Sequence, residues 1–370
     1  MRSPVQYCLP ARPRERSDAL VSPCVGLGYV QGIDVHDDSI PVIDLEPFVT
    51  GDEAAKEVVG REVDDALRSV GFMLLVGHGV SADLIERARS ASLEFFAMPL
   101  EEKMRAATPP ERLSRGYNWV GNRSLAYTLG DEAPPDLQEG FAFGPLDVTP
   151  EERDESPAAA RLFAENEWPE HPADFRRALE TYYGRIADLA ATMMHVFAVG
   201  LGLPETFFDA QIDRHTSALR VVHYPPQSEP PEPGQLRAGA HTDYGTLTIL
   251  YGDDTPGGLQ VRHRNGGWLD VHPPPGSLVC NIGDLMARWT NDRWVSNLHR
   301  VVNPPPEHSA TARLSMPFFH NANHDAVIEC VPTCRPEVGE PTYPPIRFSD
   351  HYFGKQSRAE TMKLDVEETS

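Results

Sequence analysis

Three residues could hold a metal ion: His241, Asp243 and His299. His241 and Asp243 stand two apart in Gly239–Ala240–His241–Thr242–Asp243–Tyr244–Gly245, and His299 follows 58 residues after His241. Residues i and i+2 of a strand share a face, so the pair is expected to meet one metal from one side. His299 opens a further expected strand. Two imidazoles and one carboxylate on one face of a six-coordinate ion leave three positions open. That suits Fe(II), which must also accept a co-substrate and O2. A His-x-Asp pair is weak evidence in a chain with 14 histidines. Arg313–Leu314–Ser315 adds weight, because Arg313 and Ser315 share a strand face for the same reason. A guanidinium beside a hydroxyl is a receptor for a carboxylate. The flanking Leu314, Met316, Pro317, Phe318 and Phe319 are apolar, and an unpaired Arg among them would be costly. An anionic partner is therefore expected.

The elements that must position these residues fall into two halves. Strands are expected at 40–45 and 71–76, with helices at 53–69 and 82–97 and a short one opening at Leu100–Glu101–Glu102–Lys103. The strongest helix spans Pro172 to Leu201. There Phe175, Leu179, Tyr182, Ile186, Leu189, Met193, Phe197 and Leu201 recur every three or four residues and form one apolar core face. After Leu203 the period changes. Short β-branched or aromatic runs occur at 218–224, 246–251, 258–262, 268–271, 277–281, 299–302 and 312–319, separated by turn residues and by Pro-rich stretches that block further pairing. Many short strands at this spacing suggest a sandwich or barrel. The chain divides into a leader at 1–38, an N-terminal α/β region at 39–145, a helical region at 146–210, a β core at 211–325 and a C-terminal segment at 326–370.

Composition excludes several function classes. With 40% hydrophobic and 24% charged residues the chain reads as a globular protein. No apolar run is long enough to cross a bilayer. Acidic residues outnumber basic ones 55 to 33, which speaks against nucleic-acid binding, since phosphate contacts need a basic face. Five scattered cysteines argue against a disulfide framework and for a reducing cytoplasm. Cys330 and Cys334 lack a second close pair that would complete a zinc site, and Cys280 reads as a small buried hydrophobe. Residues 1–38 carry Arg12, Arg14 and Arg16 before a broken apolar stretch, which fits a disordered leader better than a signal peptide.

Taken together, the motifs resemble the isopenicillin N synthase-like family of 2-oxoglutarate/Fe(II) dioxygenases, in its bacterial branch. The resemblance runs from Ile40 to Phe353. It includes Ile40–Pro41–Val42–Ile43–Asp44–Leu45, Gly77–His78–Gly79–Val80, Arg115–Gly116–Tyr117, His241 to Leu250, Asn281–Ile282–Gly283–Asp284, Trp289–Thr290–Asn291–Asp292 and Arg313–Leu314–Ser315. It implies a mainly β fold with α elements: a double-stranded β-helix, or jelly-roll, flanked by helices, with the long helix packed on the barrel. It further implies iron on His241, Asp243 and His299, and 2-oxoglutarate chelating that iron with its far carboxylate on Arg313 and Ser315. Tyr224 would reach the same co-substrate. Val222 departs from the Asn of many plant members, so one hydrogen bond to the co-substrate is missing or replaced.

The resemblance implies an oxidoreductase that uses O2 to oxidise, most simply to hydroxylate, an unactivated C–H bond of a small molecule, with succinate and CO2 released. Ascorbate would serve as reductant, and secondary metabolism is a natural setting. Asp243 retains the carboxylate ligand, which disfavours halogenation. Two alternatives stand beside this reading: an isopenicillin N synthase-type oxidase whose Arg313 holds substrate, and a non-catalytic or hydrolytic metal-binding jelly roll. Tyr117, Trp119, Phe141, Phe143 and Phe319 are expected to line the substrate pocket by analogy. His78 reads as a structural turn residue, His223 as a packing group, and residues 281–284 as a turn flooring the site. A cytoplasmic monomer is expected.

Overall fold

The computed structural model describes residues 39–109, 115–122, 124–126, 133–253 and 255–357. The expected leader lies outside them. Strands β1 (Val42–Asp44), β2 (Phe72–Val76), β3 (Gly116–Asn118), β4 (Glu139–Phe143), β5 (Ala218–Tyr224), β7 (Leu247–Gly252), β10 (Leu278–Ile282) and β12 (Arg313–His320) form one sheet. Its order is β1-β2-β10-β7-β12-β5-β4-β3. A second sheet holds β6 (Ala238–His241), β8 (Leu259–Arg262), β9 (Trp268–Asp270) and β11 (His299–Val301) in the order β6-β11-β8-β9. All these pairings are antiparallel except β1 with β2. The two sheets face one another as a jelly-roll core.

Helices cover the outer face of the large sheet. Besides the short α1 (Glu46–Thr50), α4 (Leu100–Met104), α5 (Pro150–Asp154), α6 (Pro157–Leu162) and α8 (Asp209–Ile212), they are α2 (Glu53–Ser69), α3 (Ala82–Phe96) and α7 (Phe175–Gly200), and α7 packs on α2, α3 and β12. Polar caps start two of them: Asp52 accepts from Ala55 N, and Ser81 from Leu84 N. All eight apolar positions of the expected α7 stripe are buried. Fully burying each such large side chain contributes about 1.5–3 kcal/mol, so this face fastens the helices to the sheet.

Strand alternation separates two apolar layers. Leu314, Met316 and Phe318 of β12 join the helix-side core, together with Leu219 and Val221 of β5. Val222, Tyr224, Phe72, Leu74 and Val279 instead meet Leu259, Val261 and Val301 between the sheets. Arg313 pairs with Tyr224, and Ser315 with Val222, which places both on this inner face. β3, β4 and the helix α9 (Asp284–Trp289) are additions to the expected elements, as is a helix at 348–357.

Candidate metal centre

His241 is the last residue of β6 and His299 the first of β11, and the two are direct cross-strand partners. Their ring centroids lie 4.3 Å apart. Asp243 is placed differently from expectation, because β6 ends at His241 and the carboxylate comes from the turn beyond it. The turn brings Asp243 back to the imidazoles by leaning on the start of α9. Asp284 N donates to Asp243 O at 2.8 Å and Gly283 N to Thr246 O at 3.1 Å. A Cβ at position 283 would lie 2.4 Å from Gly245 O, so only glycine admits this approach.

One ligand atom from each of His241, Asp243 and His299 falls within 4.8 Å of the other two. His241 Nδ1 lies 2.8 Å from Gly239 O, and His299 Nδ1 lies 3.1 Å from Asn297 O. A carbonyl only accepts, so each Nδ1 donates and each Nε2 keeps its lone pair for a metal. Burial, followed by the neighbouring His299, pushes His241 down to about 4, which leaves it neutral near pH 7. Burial alone would push the Asp243 carboxyl up. The imidazoles of His299 and His241, with hydrogen bonds from Thr248 and Asn281, outweigh it and hold that carboxyl below its ordinary range. Thr248 Oγ1 donates to Asp243 Oδ2 at 2.6 Å and Asn281 Nδ2 at 2.8 Å. Oδ2 is thus committed to the protein, and Oδ1, 3.8 Å from His299 Nε2, is left for a cation. Two imidazole nitrogens and one carboxylate oxygen make a donor set that fits Fe(II).

A cationic receptor lies further along the same inner face. Thr248, which grips Asp243, and Gly252, which abuts Arg313, are four residues apart on β7, a span of about 13 Å. Arg313, Ser315 and Tyr224 are all buried. The guanidinium carbon of Arg313 sits 5.2 Å from the centroid of the Tyr224 ring. Its Nε and Nη1 are buried without a hydrogen-bond partner among the described residues. Two such orphaned donors cost about 1–3 kcal/mol each, more for a charged group, so the site is built for an anion. At Gly252 a Cβ would come within 2.8 Å of Arg313 Nη2, so the missing side chain makes room for the guanidinium. Arg313 also lines a cavity of about 580 Å³, together with Leu250, Gly252, Leu259, Val279 and Pro256.

Three of the expected pocket aromatics sit elsewhere. Tyr117, Phe141 and Phe143 belong to the helix-side core, the opposite face of the sheet from Arg313. Phe141 meets Phe175 at 4.9 Å, Phe143 meets Trp168 at 4.6 Å, and Tyr117 Oη donates to the buried Glu139 at 2.5 Å. They are core packing and do not line the pocket. Trp119 is exposed, whereas Phe319 remains half-buried on the inner face as the cross-strand partner of Thr248. His223 stacks on Phe96 and hydrogen-bonds Glu139 on the outer face, and His78 Nε2 lies 2.8 Å from Gly276 O in its turn. A second trio of possible ligands among the described residues, Glu155, His324 and Asp325, is already served by the guanidinium of Arg214 at 2.9 and 3.2 Å.

Sequence reasoning missed Thr248, and it placed Asn281 at a strand end and turn without giving it a part in holding Asp243. The available signal was a polar side chain inside an apolar run, Leu247–Thr248–Ile249–Leu250 and Leu278–Val279–Cys280–Asn281–Ile282. Such a group must find a partner when buried. Lys355 Nζ also reaches Asp284 Oδ2 at 2.6 Å, and Thr242 donates to that same oxygen at 3.1 Å, so the last described helix braces the metal turn.

A family profile described as the 2OG-Fe(II) oxygenase superfamily matches residues 215–322. Another, described as non-haem dioxygenase in morphine synthesis N-terminal, matches residues 40–171. The chain is 36% identical over 343 residues to the 2-oxoglutarate-Fe(II) type oxidoreductase hxnY of Emericella nidulans, covering 89% of this chain and 93% of that protein. It is 33% identical to a homoarginine-6-hydroxylase of Oryza sativa subsp. japonica, over 86% of this chain and 96% of that one. Among solved structures, it resembles a full-length Neurospora crassa protein in complex with alpha-KG (2-oxoglutarate) and thymine. That match has a TM-score of 0.75 at 31% identity, covering 88% of this chain and 98% of the other.

Proposed function

We propose that this chain, which belongs to the 2OG-Fe(II) oxygenase superfamily, holds iron on His241, Asp243 and His299 and 2-oxoglutarate on Arg313, Ser315 and Tyr224. It is a 2-oxoglutarate-dependent non-haem iron dioxygenase acting on a small molecule. Iron with 2-oxoglutarate bound supplies O2 activation, and the co-substrate leaves as succinate and CO2 while a C–H bond of the substrate is oxidised.

The protein's own groups supply orientation. Backbone carbonyls accept from Nδ1 of His241 and of His299, which leaves Nε2 of each ring as the atom presented to the metal. Thr248 and Asn281 hold Asp243 in one rotamer and keep its charge in place. Arg313 binds the far carboxylate of 2-oxoglutarate, Ser315 adds a hydroxyl on the same face, and the Tyr224 ring stacks against the guanidinium. The apolar lining of Leu250, Leu259 and Val279 excludes water around the co-substrate's methylenes. Phe319 is the one expected pocket aromatic that we retain as a substrate contact.

The observation that carries this reading is the buried Arg313, whose Nε and Nη1 have no partner among the described residues, on the inner face of the large sheet whose Thr248 and Asn281 hold Asp243. Relatives named for 2-oxoglutarate, and a solved relative holding alpha-KG, favour it over an oxidase whose Arg313 anchors substrate. The order of motifs supports the isopenicillin N synthase-like branch, in its bacterial form, and residues 211–325 as the catalytic core. A net charge of −22 supports an enzyme that works away from nucleic acid. No helix among the described residues is long and apolar enough to cross a membrane. The test is succinate formation: it should require Fe(II), O2 and 2-oxoglutarate together, and succinate formed with any one omitted would contradict the reading.

A further inference from the structure

We infer that Arg237 is a positioning residue that aims Arg313 at the distal carboxylate of the co-substrate and so sets the enzyme's preference for a dicarboxylic 2-oxo acid. The inference rests on the reading of Arg313 given above. Arg237 stands immediately before β6 and is fully buried. Its Nη1 donates to Pro256 O and Gly257 O, both at 3.0 Å, and its Nη2 to Thr311 O at 2.9 Å. Thr311 lies two residues before Arg313, on the run into β12. Pro256 and Gly257 line the cavity that Arg313 also lines. One guanidinium therefore ties together the strand that ends in His241, a wall of that cavity and the start of the strand that carries Arg313. A planar fork suits this task because its donors are fixed relative to one another.

The same group also adds charge. Arg237 sits 5.7 Å from the centroid of the Tyr224 ring, the ring that Arg313 approaches at 5.2 Å. Among the described residues no carboxylate pairs with either arginine. Three carbonyls accept from Nη1 and Nη2 of Arg237 without cancelling its positive charge, and its Nε is buried with no partner among the described residues. Burial, then the charge of Arg313, pushes Arg237 down to about 10, so it remains protonated near neutral pH. Two cations thus share a buried pocket end in which neither is ion-paired among the described residues, and Asp253 on the cavity wall is already held by Arg89, which favours an anion arriving there over a neutral chain end.

The test compares two keto acids of equal length, 2-oxoglutarate and 2-oxopentanoate, titrated anaerobically into the Fe(II) protein by calorimetry and by visible absorption. The quantity read is the ratio of their dissociation constants. Arg237→Gln is expected to lower the preference for 2-oxoglutarate about tenfold or more and to leave 2-oxopentanoate unchanged. Arg237→Lys, which keeps the charge but loses the fork, is expected to lower it about threefold. Should the Gln variant not fold, the Lys variant decides alone: a reduced ratio supports the inference and a wild-type ratio overturns it. Equal weakening of both keto acids would reduce Arg237 to general stability and also overturn it. Arg313→Gln is the internal reference. If it lowers the ratio while the Arg237 variants do not, only this inference fails. If it too leaves the ratio unchanged, the reading of Arg313 fails.

Discussion

Asn281 donates from Nδ2 to Oδ2 of Asp243 at 2.8 Å, from a strand neighbouring the one whose Thr248 grips the same oxygen at 2.6 Å. The carboxylate is thus turned so that Oδ1 faces the two imidazoles. Groups that orient a metal ligand typically change metal affinity 10- to 100-fold when removed. Asn281→Leu and Thr248→Val are each expected to weaken Fe(II) by about that factor, measured by competition with a chelating dye. Unchanged iron affinity in both variants would mean that Asp243 orients itself.

His241→Ala, Asp243→Ala and His299→Ala are each expected to lose stoichiometric iron and all turnover, because each removes one of three ligands. His78→Gln removes a turn contact to Gly276 and is expected to lower thermal stability while iron content stays at one per chain. Iron content by atomic absorption separates the two groups. Full iron and activity in any of the three alanine variants would contradict the triad.

Phe143 is fully buried between Trp168 and Tyr183, on the helix side of the sheet. Phe143→Ala is expected to destabilise the fold by about 3–5 kcal/mol and to leave KM for the organic substrate within twofold. Denaturant unfolding and steady-state kinetics on the folded fraction measure both. A large rise in KM with little loss of stability would return Phe143 to the pocket wall.

His320 and His215 lie 5.5 Å apart by ring centroid, and burial pushes both below the ordinary histidine value of 6.5. Their unfolded forms take up protons before their folded forms do. The stability they contribute is complete above pH 6.5 and is lost as pH falls towards the folded values. Each such group steepens the loss by up to about 1.4 kcal/mol per pH unit. His320→Asn, whose amide can still hydrogen-bond with Thr246 Oγ1, is expected to flatten the stability profile of the metal-free protein between pH 6.5 and 5. An unchanged slope would show that His320 does not titrate in that window.

Much of this was legible in the residues, for physical reasons that also mark where legibility stopped. The α7 stripe could be read because its periodicity reports a single buried face, and β5 because it is a short β-branched and aromatic run closed by Pro residues, although both its faces are buried. β4 could not, because all five of its residues are buried and an all-buried strand does not say which side faces which layer. Its two Phe residues were therefore expected in the pocket and lie beneath the helices. Asp243 was expected on a strand because strand periodicity is local, whereas its position depends on Gly283 and Asp284, some forty residues later. Arg237 carried no signal, since its partners are three backbone carbonyls in two distant segments.

The most direct test of the central claim is an anaerobic titration of the Fe(II) protein with 2-oxoglutarate, in wild type and Arg313→Gln. The wild type should develop a visible charge-transfer band that saturates at one equivalent. A charge-assisted hydrogen bond worth about 1.5–3 kcal/mol corresponds to roughly ten- to a hundredfold or slightly more in affinity. Arg313→Gln should shift the titration by that order while iron binding stays unchanged. A wild-type protein that gives no band, with Arg313→Gln altering only the affinity for the organic substrate, would contradict the account and make Arg313 a substrate anchor.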